Sequence, residues 1–167
     1  DLSDAVRGLE GLLEGVRLLG DYSPKVRDQV WAFGELIASR LIAELLGKRG
    51  MPSLWIDARH LLKTDGNFGD ARILESLSRE NVLKRFGDIP PGTVPVVTGF
   101  IASTKTGETT TLGRNGSNYT ASLLANFLNA DELENYTHVD GIYTANPDLV
   151  ADARRISHLS YNEANEL

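Results

Sequence analysis

The sequence contains no cysteine in 167 residues, which removes disulfides and thiolate metal ligands. That fits a reducing, cytoplasmic setting. The histidines His60, His138 and His158 have no metal-ligand spacing, so no protein-built metal site is expected. Basic residues are scarce relative to acidic ones, 17 against 23, and the net charge is -6. No basic stripe follows the chain, which argues against a nucleic-acid partner. No apolar run is long enough for a membrane span, and no signal-peptide pattern opens the chain. Neither G-x-x-x-x-G-K-[ST] nor G-x-G-x-x-G occurs, so neither common phosphate loop is present. What remains is the composition of a globular domain, 41% hydrophobic and 24% charged. The chain opens on Asp1 and stops inside a helix-like pattern, "SYNEANEL". A single domain incomplete at both ends is expected.

Periodicity predicts a first helix over "LSDAVRGLEGLLEGVRLLG", with Val6, Leu9, Leu13 and Val16 on one face. Ser3 or Asp4 caps it. Ser23-Pro24 opens a second helix with Val26, Val30, Phe33, Ile37, Leu41 and Leu45 on its apolar stripe, ended by Gly47 or Gly50. The two helices are expected to pack antiparallel. "PSLWIDA" reads as a buried strand, "TDGNFGDA" as turn, and "LSRENVLKRF" as a helix stopping at Gly87. "TVPVVTGFIAS" is the strongest strand signal, broken near Gly99-Phe100. "TKTGET" is a hairpin turn and "TTTLG" the returning strand. Residues 117–129 read as helix, "ELENYTHV" as strand, "DGIYTANPDLV" as loop and "LSYNEANEL" as a last helix. The alternation implies an α/β fold with a mainly parallel sheet. Such sheets bind ligands beyond the carboxyl ends of their strands.

Three places can carry chemistry. Arg114-Asn115-Gly116-Ser117-Asn118 puts one cation and free amides at a helix mouth. The helix terminus favours an anion, Gly116 admits close approach, and Arg114 can grip a carboxylate or phosphate. An ordinary cap made by Ser117, beside a surface arginine, explains the same residues. Gly34-Glu35 lies inside the second helix, where glycine costs about 1 kcal/mol against alanine. Glu35 there suits a substrate ammonium, whereas close helix packing at Gly34 with a solvated glutamate is the plainer account. Thr137, His138, Tyr143, Asn146 and Pro147 follow a predicted strand end. They can wall a nucleotide pocket or simply connect two elements.

Taken in order, these segments resemble the aspartokinases of the amino-acid kinase family. "VTGFIASTKTGETTTLGRNGSNYTASLLA" is similar to that family's strand, hairpin and substrate loop. "THVDGIYTANPDLVADARRI" is similar to its nucleotide loop, and "FGELIASRLIAELL" to its Gly-Glu helix. The Arg-Asn-Gly-Ser version with "VDGIYTANPDLVADAR" most resembles the bifunctional aspartokinase/homoserine dehydrogenases. The resemblance implies a three-layer α/β/α sandwich that moves the γ-phosphoryl group of Mg·ATP to the β-carboxylate of L-aspartate. By position, Glu35, Phe100, Arg114, Gly116, Ser117 and Asn118 fall on the aspartate side. Thr137, His138, Tyr143, Asn146 and Pro147 fall on the ATP side. It also implies self-association of the whole protein.

The family's Lys-Phe-Gly-Gly segment and its later nucleotide-side lysine have no counterpart here, so no catalytic lysine is assigned. Efficient turnover by this stretch alone is not expected. Many aspartokinases have Gly-Ser-Asp at 116–118, Thr-Asp at 137–138 and Asp-Pro-Arg at 146–148. Here Asn118, His138, Asn146 and Asp148 change those charges. A non-catalytic, ligand-binding relative of the same fold, or a kinase for another small acid, therefore stands beside the aspartate kinase reading.

Overall fold

The computed structural model describes residues 2–20, 22–137 and 139–160. The chain divides into two compact units, Asp1–Leu133 and Glu134–Leu167. In the first, elements run α1 (Leu2–Leu19), α2 (Pro24–Lys48), β1 (Ser53–Ile56), a 3-10 turn (Ala58–His60), β2 (Lys63–Thr64), α3 (Glu75–Gly87), β3 (Val94–Val97), β4 (Ile101–Thr104), β5 (Thr109–Thr111) and α4 (Gly116–Leu128).

Local chemistry sets these boundaries. The Ser23 side chain accepts the Val26 N–H at 3.3 Å, and Pro24 begins α2 where a missing N–H costs nothing. Gly50, at φ 81°, takes the left-handed position after α2. Pairing is mainly parallel: β1 with β3, and β2 with β4, while β4 and β5 form the antiparallel hairpin. The strong strand signal of residues 93–103 is in fact two strands. β3 belongs to one small sheet and β4 to another, with the Gly99-Phe100 break between them.

Every residue of β4 and β5 is buried. Successive strand residues point to opposite faces, so both faces are covered. Helix α2 lies against β1, β3 and β5, while α3 packs with α4 and β2. The hydrophobic core joins Ile56, Leu61, Leu62, Val82, Leu112 and Phe127. This is an α/β fold with helices layered on a mainly parallel sheet.

Two expectations for this unit are corrected. The buried line of α2 is Asp28, Ala32, Ser39 and Ala43, not the large apolar stripe; Leu41 and Leu45 remain about half exposed. Small side chains let the helix approach the strands closely. Ser39 makes the approach specific, since its hydroxyl donates to the Glu35 carbonyl at 2.7 Å and accepts the Trp55 indole N–H at 2.9 Å. Nor does Ser117 cap α4. The cap position is Asn115, left-handed at φ 60°, with no side-chain capping bond.

The predicted strand over residues 132–139 does not form among the described residues: 132–137 are exposed without regular structure. They pair with no strand among the described residues, and an unpaired segment has no ladder to hold it extended. The order begins after it. Residues 142–156 close as a ribbon through Ile156 N–H to Ile142 O (2.8 Å) and Thr144 N–H to Arg154 O (3.0 Å). The predicted last helix lies mostly in residues 161–167, outside the described residues.

Candidate functional site

The site in the first unit is built on the dipeptide Gly99-Phe100. Phe100 sits at φ 64°, a region that costs a bulky side chain of order 1–3 kcal/mol and persists only when neighbours enforce it. Four hydrogen bonds do so. Gly99 N–H donates to Glu35 Oε1 at 2.6 Å and Phe100 N–H to Thr120 Oγ1 at 3.2 Å. Leu112 N–H donates to the Phe100 carbonyl at 2.9 Å. Ile101 N–H returns to the Gly99 carbonyl at 2.6 Å, closing a three-residue turn. Thr120 in turn donates to the Gly116 carbonyl at 2.9 Å, so the strained dipeptide is fastened to the first turn of α4.

Two glycines make this fit possible. A Cβ on Gly116 would stand 2.8 Å from Phe100 Cδ2 and 3.1 Å from Leu112 Cβ. A Cβ on Gly99 would stand 3.0 Å from Ser117 Cβ and Oγ. Glu35, Phe100, Gly116 and Ser117, far apart in sequence, are therefore brought together. Gly34 has nothing within 4 Å of an added Cβ, so close helix packing does not explain the Gly-Glu pair.

Arg114 and Asn118 flank this cluster on the turn and first turn of α4, both exposed. Among the described residues the Arg114 guanidinium makes no hydrogen bond or ion pair, which leaves its donors available to an anion. The turn is held from behind. A Cβ on Gly113 (φ 71°) would lie 2.7 Å from Asp70 Oδ1, so the 65–71 loop packs directly on it.

Sequence reasoning missed the group that ties that loop down. Asp28 is fully buried, and its Oδ2 accepts the Gly69 and Thr111 N–H groups at 2.8 and 2.9 Å. Its Oδ1 accepts the Thr111 hydroxyl at 3.0 Å. Ala71 N–H to Thr111 O at 3.0 Å completes the tie. The available signal was spacing: Asp28 precedes Glu35 by seven residues, two helical turns, and so shares its side of α2.

Lys63 lies in a separate polar cluster, donating to Arg59 O at 2.7 Å and Ser103 Oγ at 2.8 Å. Burial lowers its pKa, partly offset by the Asp57 carboxylate.

In the second unit, the Tyr143 hydroxyl donates to Asp140 Oδ1 at 2.7 Å. That bond raises the phenol's pKa and lowers the carboxyl's. Asn146 Oδ1 accepts the Asp148 N–H at 2.9 Å, shaping the turn at Pro147. Thr137 is exposed. His138 lies outside the described residues. The predicted nucleotide-side residues thus fall in this unit, and the predicted acid-side residues fall in the first.

The α/β fold thus fastens a strained dipeptide between a Gly-Glu helix and a Gly-Ser helix mouth. The Amino acid kinase family model matches residues 8–167, and the chain belongs to that family. It is 38% identical over 168 residues to lysine-sensitive aspartokinase 3 of Escherichia coli, covering 95% of this chain and 36% of that protein. It is 32% identical to bifunctional aspartokinase/homoserine dehydrogenase 1 of Arabidopsis thaliana, covering 99% of this chain and 18% of that one. The crystal structure of E. coli aspartokinase III with aspartate and ADP superposes with a TM-score of 0.86 at 36% identity, over 98% of this chain and 36% of that one. The chain thus spans about a third or less of the length of these relatives.

Proposed function

We propose that this chain is part of the catalytic domain of an aspartate kinase. The observation that carries the reading is the Glu35–Gly99–Phe100–Gly116 assembly beside Arg114, whose guanidinium has no partner among the described residues. On this reading Arg114 clamps a carboxylate of aspartate with two parallel N–H bonds. The Glu35 carboxylate, with lone pairs beyond the one used by Gly99 N–H, receives the ammonium. Phe100 and Gly116 shape the wall, and the first-turn amides of α4 add positive potential. ATP supplies the phosphoryl group. An oxygen of the β-carboxylate bonds to the γ-phosphorus as the bond to the β-phosphate oxygen breaks, giving an acyl phosphate and ADP. Such a transfer depends on positioning and charge neutralisation more than on a side-chain acid or base.

The nucleotide falls to Thr137, His138, Tyr143, Asn146 and Pro147. Magnesium ordinarily rides on substrate phosphates with one or two carboxylates. Among the described residues no three His, Asp or Glu side chains gather into a cage for it. The aspartate and ADP in the E. coli structure support both substrates.

Asn118, where many aspartokinases carry aspartate, favours the second reading of an acid-binding relative without transfer. The deciding assay is ADP formation by the full-length gene product with ATP, magnesium and aspartate, glutamate serving as control. Aspartate-dependent turnover is expected. A folded product that binds aspartate and yields no ADP establishes the second reading instead.

A further inference from the structure

One face of α2 carries three residues at four-residue intervals: Arg27, Trp31 and Glu35. Glu35 holds the amide of Gly99. Trp31, one turn earlier, meets the next residue, with its ring centroid 6.4 Å from that of Phe100 and the planes tilted by 41°. Such a tilted pair is an attractive aromatic geometry. Arg27, one turn earlier again, lays its guanidinium carbon 4.8 Å from the Trp31 ring centroid. The sequence Gly116–Phe100–Trp31–Arg27 is thus one continuous stack that starts at the mouth of α4.

Trp31 is 49% exposed, an unusual cost for the largest side chain on the helix. On its α1 side lies a cavity of about 200 Å³, whose apolar lining includes Leu13, Val16 and Val30, rather than packed core. Its orientation is therefore set by Phe100 on one side and Arg27 on the other. Arg27 is itself restrained: a Cβ on Gly69 would fall 2.2 Å from its Nη2, and its Nε is buried with no hydrogen-bond partner among the described residues. A buried N–H left unpaired is costly, so the cation's place over the indole is bought against its hydrogen bonding.

We infer that Trp31, steadied by Arg27, is a specificity-determining residue. It backs the Phe100 ring and fixes the depth of the acid pocket, so that the acceptor is a four-carbon rather than a five-carbon dicarboxylic amino acid. The inference rests on the aspartate kinase reading for the identity of the acid. Aspartate and glutamate differ by one methylene, and a fitted wall discriminates by roughly 10–200-fold per methylene. Without the indole, Phe100 gains room to recede, and the longer acid fits.

The test uses the full-length protein with Trp31→Ala, Trp31→Phe, Arg27→Ala and, as control, Trp55→Phe, whose indole bonds Ser39 away from Phe100. Aspartate and glutamate are compared by kcat/KM and by calorimetric binding. Trp31→Ala should lower the aspartate-to-glutamate preference about tenfold, chiefly through KM. Arg27→Ala should give a smaller loss, and Trp31→Phe should recover most of it. Trp55→Phe should leave the ratio unchanged. An unaltered ratio in folded Trp31→Ala overturns the inference, as does an equal loss in Trp55→Phe. If the wild-type protein binds acids but forms no ADP, the kinase reading fails, and the binding ratio alone decides the role of Trp31. Binding of neither acid overturns both.

Discussion

Phe100 concentrates the strain of the site in one residue. Its left-handed backbone costs an L-residue about 1–2 kcal/mol that glycine does not incur. The ring offsets this by filling the space over Gly116 and reaching Trp31. Removing the ring and relaxing the backbone are separable. Phe100→Ala loses the ring and keeps the strain; Phe100→Gly loses both. Phe100→Gly is therefore expected to be more stable than Phe100→Ala by about 1 kcal/mol, read from denaturant midpoints at equal slope. On the aspartate kinase reading, both should bind aspartate more weakly than wild type. Equal stability of the two would mean that neighbouring groups do not hold φ positive. Gly116→Ala attacks the same contact from the opposite side. Its methyl would stand 2.8 Å from the ring, so Phe100 must move, and on the aspartate kinase reading KM for aspartate in the full-length protein should rise several-fold. The site tolerates no methyl there although Gly116 is not itself at positive φ.

Asp28 shows how an element is used to place a loop. Helix α2 carries the carboxylate into the core, where it collects two backbone amides and one hydroxyl from segments that flank the Gly113–Asn118 turn. Asp28→Ala leaves the buried Thr111 amide without an acceptor, at roughly 1–3 kcal/mol, and the part-buried Gly69 amide at less, and is expected to lower Tm sharply. Asp28→Asn is a finer probe. One amide oxygen still accepts both N–H groups, while the Nδ2 group donates to the Thr111 hydroxyl, which reverses its role. Its Tm should lie much closer to wild type than that of Asp28→Ala; equal losses would show that charge, not hydrogen bonding, holds the turn. This residue also marks what the sequence could tell. The start of α2, the β4–β5 hairpin and the Gly99-Phe100 break were legible because capping, turn chemistry and strand propensity are local signals. The caps expected from Ser3 or Asp4 and from Ser117 do not form, since α1 already begins at Leu2 and Asn115 holds the cap position of α4. The segments meeting at Glu35, Phe100, Gly116 and Ser117 were legible through family likeness. The buried line Asp28–Ala32–Ser39–Ala43 was not, because a hydrophobic count points to Leu41 and Leu45 and cannot see which face touches a strand. The strand expected over residues 132–139 fails for a similar reason. Propensity scores a residue's fit to a ladder but does not supply the partner.

At the scale of the molecule, a net charge of -6 makes every carboxylate's partner matter, and one pair joins distant parts of the chain. Lys25 in the first turn of α2 donates to Glu108 Oε1 at 2.5 Å, pinning the β4–β5 hairpin to the helix that carries Asp28 and Glu35. The bond to Lys25, with its charge, lowers the Glu108 pKa below 4.5. Because the folded-state value is depressed, the unfolded chain binds more protons in this window. The contribution to stability is present above pH 4.5 and is lost as pH falls through the lowered value. Both side chains are around 40% exposed, so the effect is modest and screened by salt. Acid titration of the whole protein mixes this pair with general relief of negative repulsion, but a comparison of two proteins separates them. Wild type and Lys25→Met, unfolded by urea at a series of pH values in low salt, should differ at pH 7. The gap should close as pH drops below the Glu108 transition, where the carboxyl is neutral in both proteins, and narrow again at pH 7 in molar salt. A gap independent of pH and salt would show that Lys25 acts through the packing of its methylenes, and that the hairpin is held by Asp28 without electrostatic help.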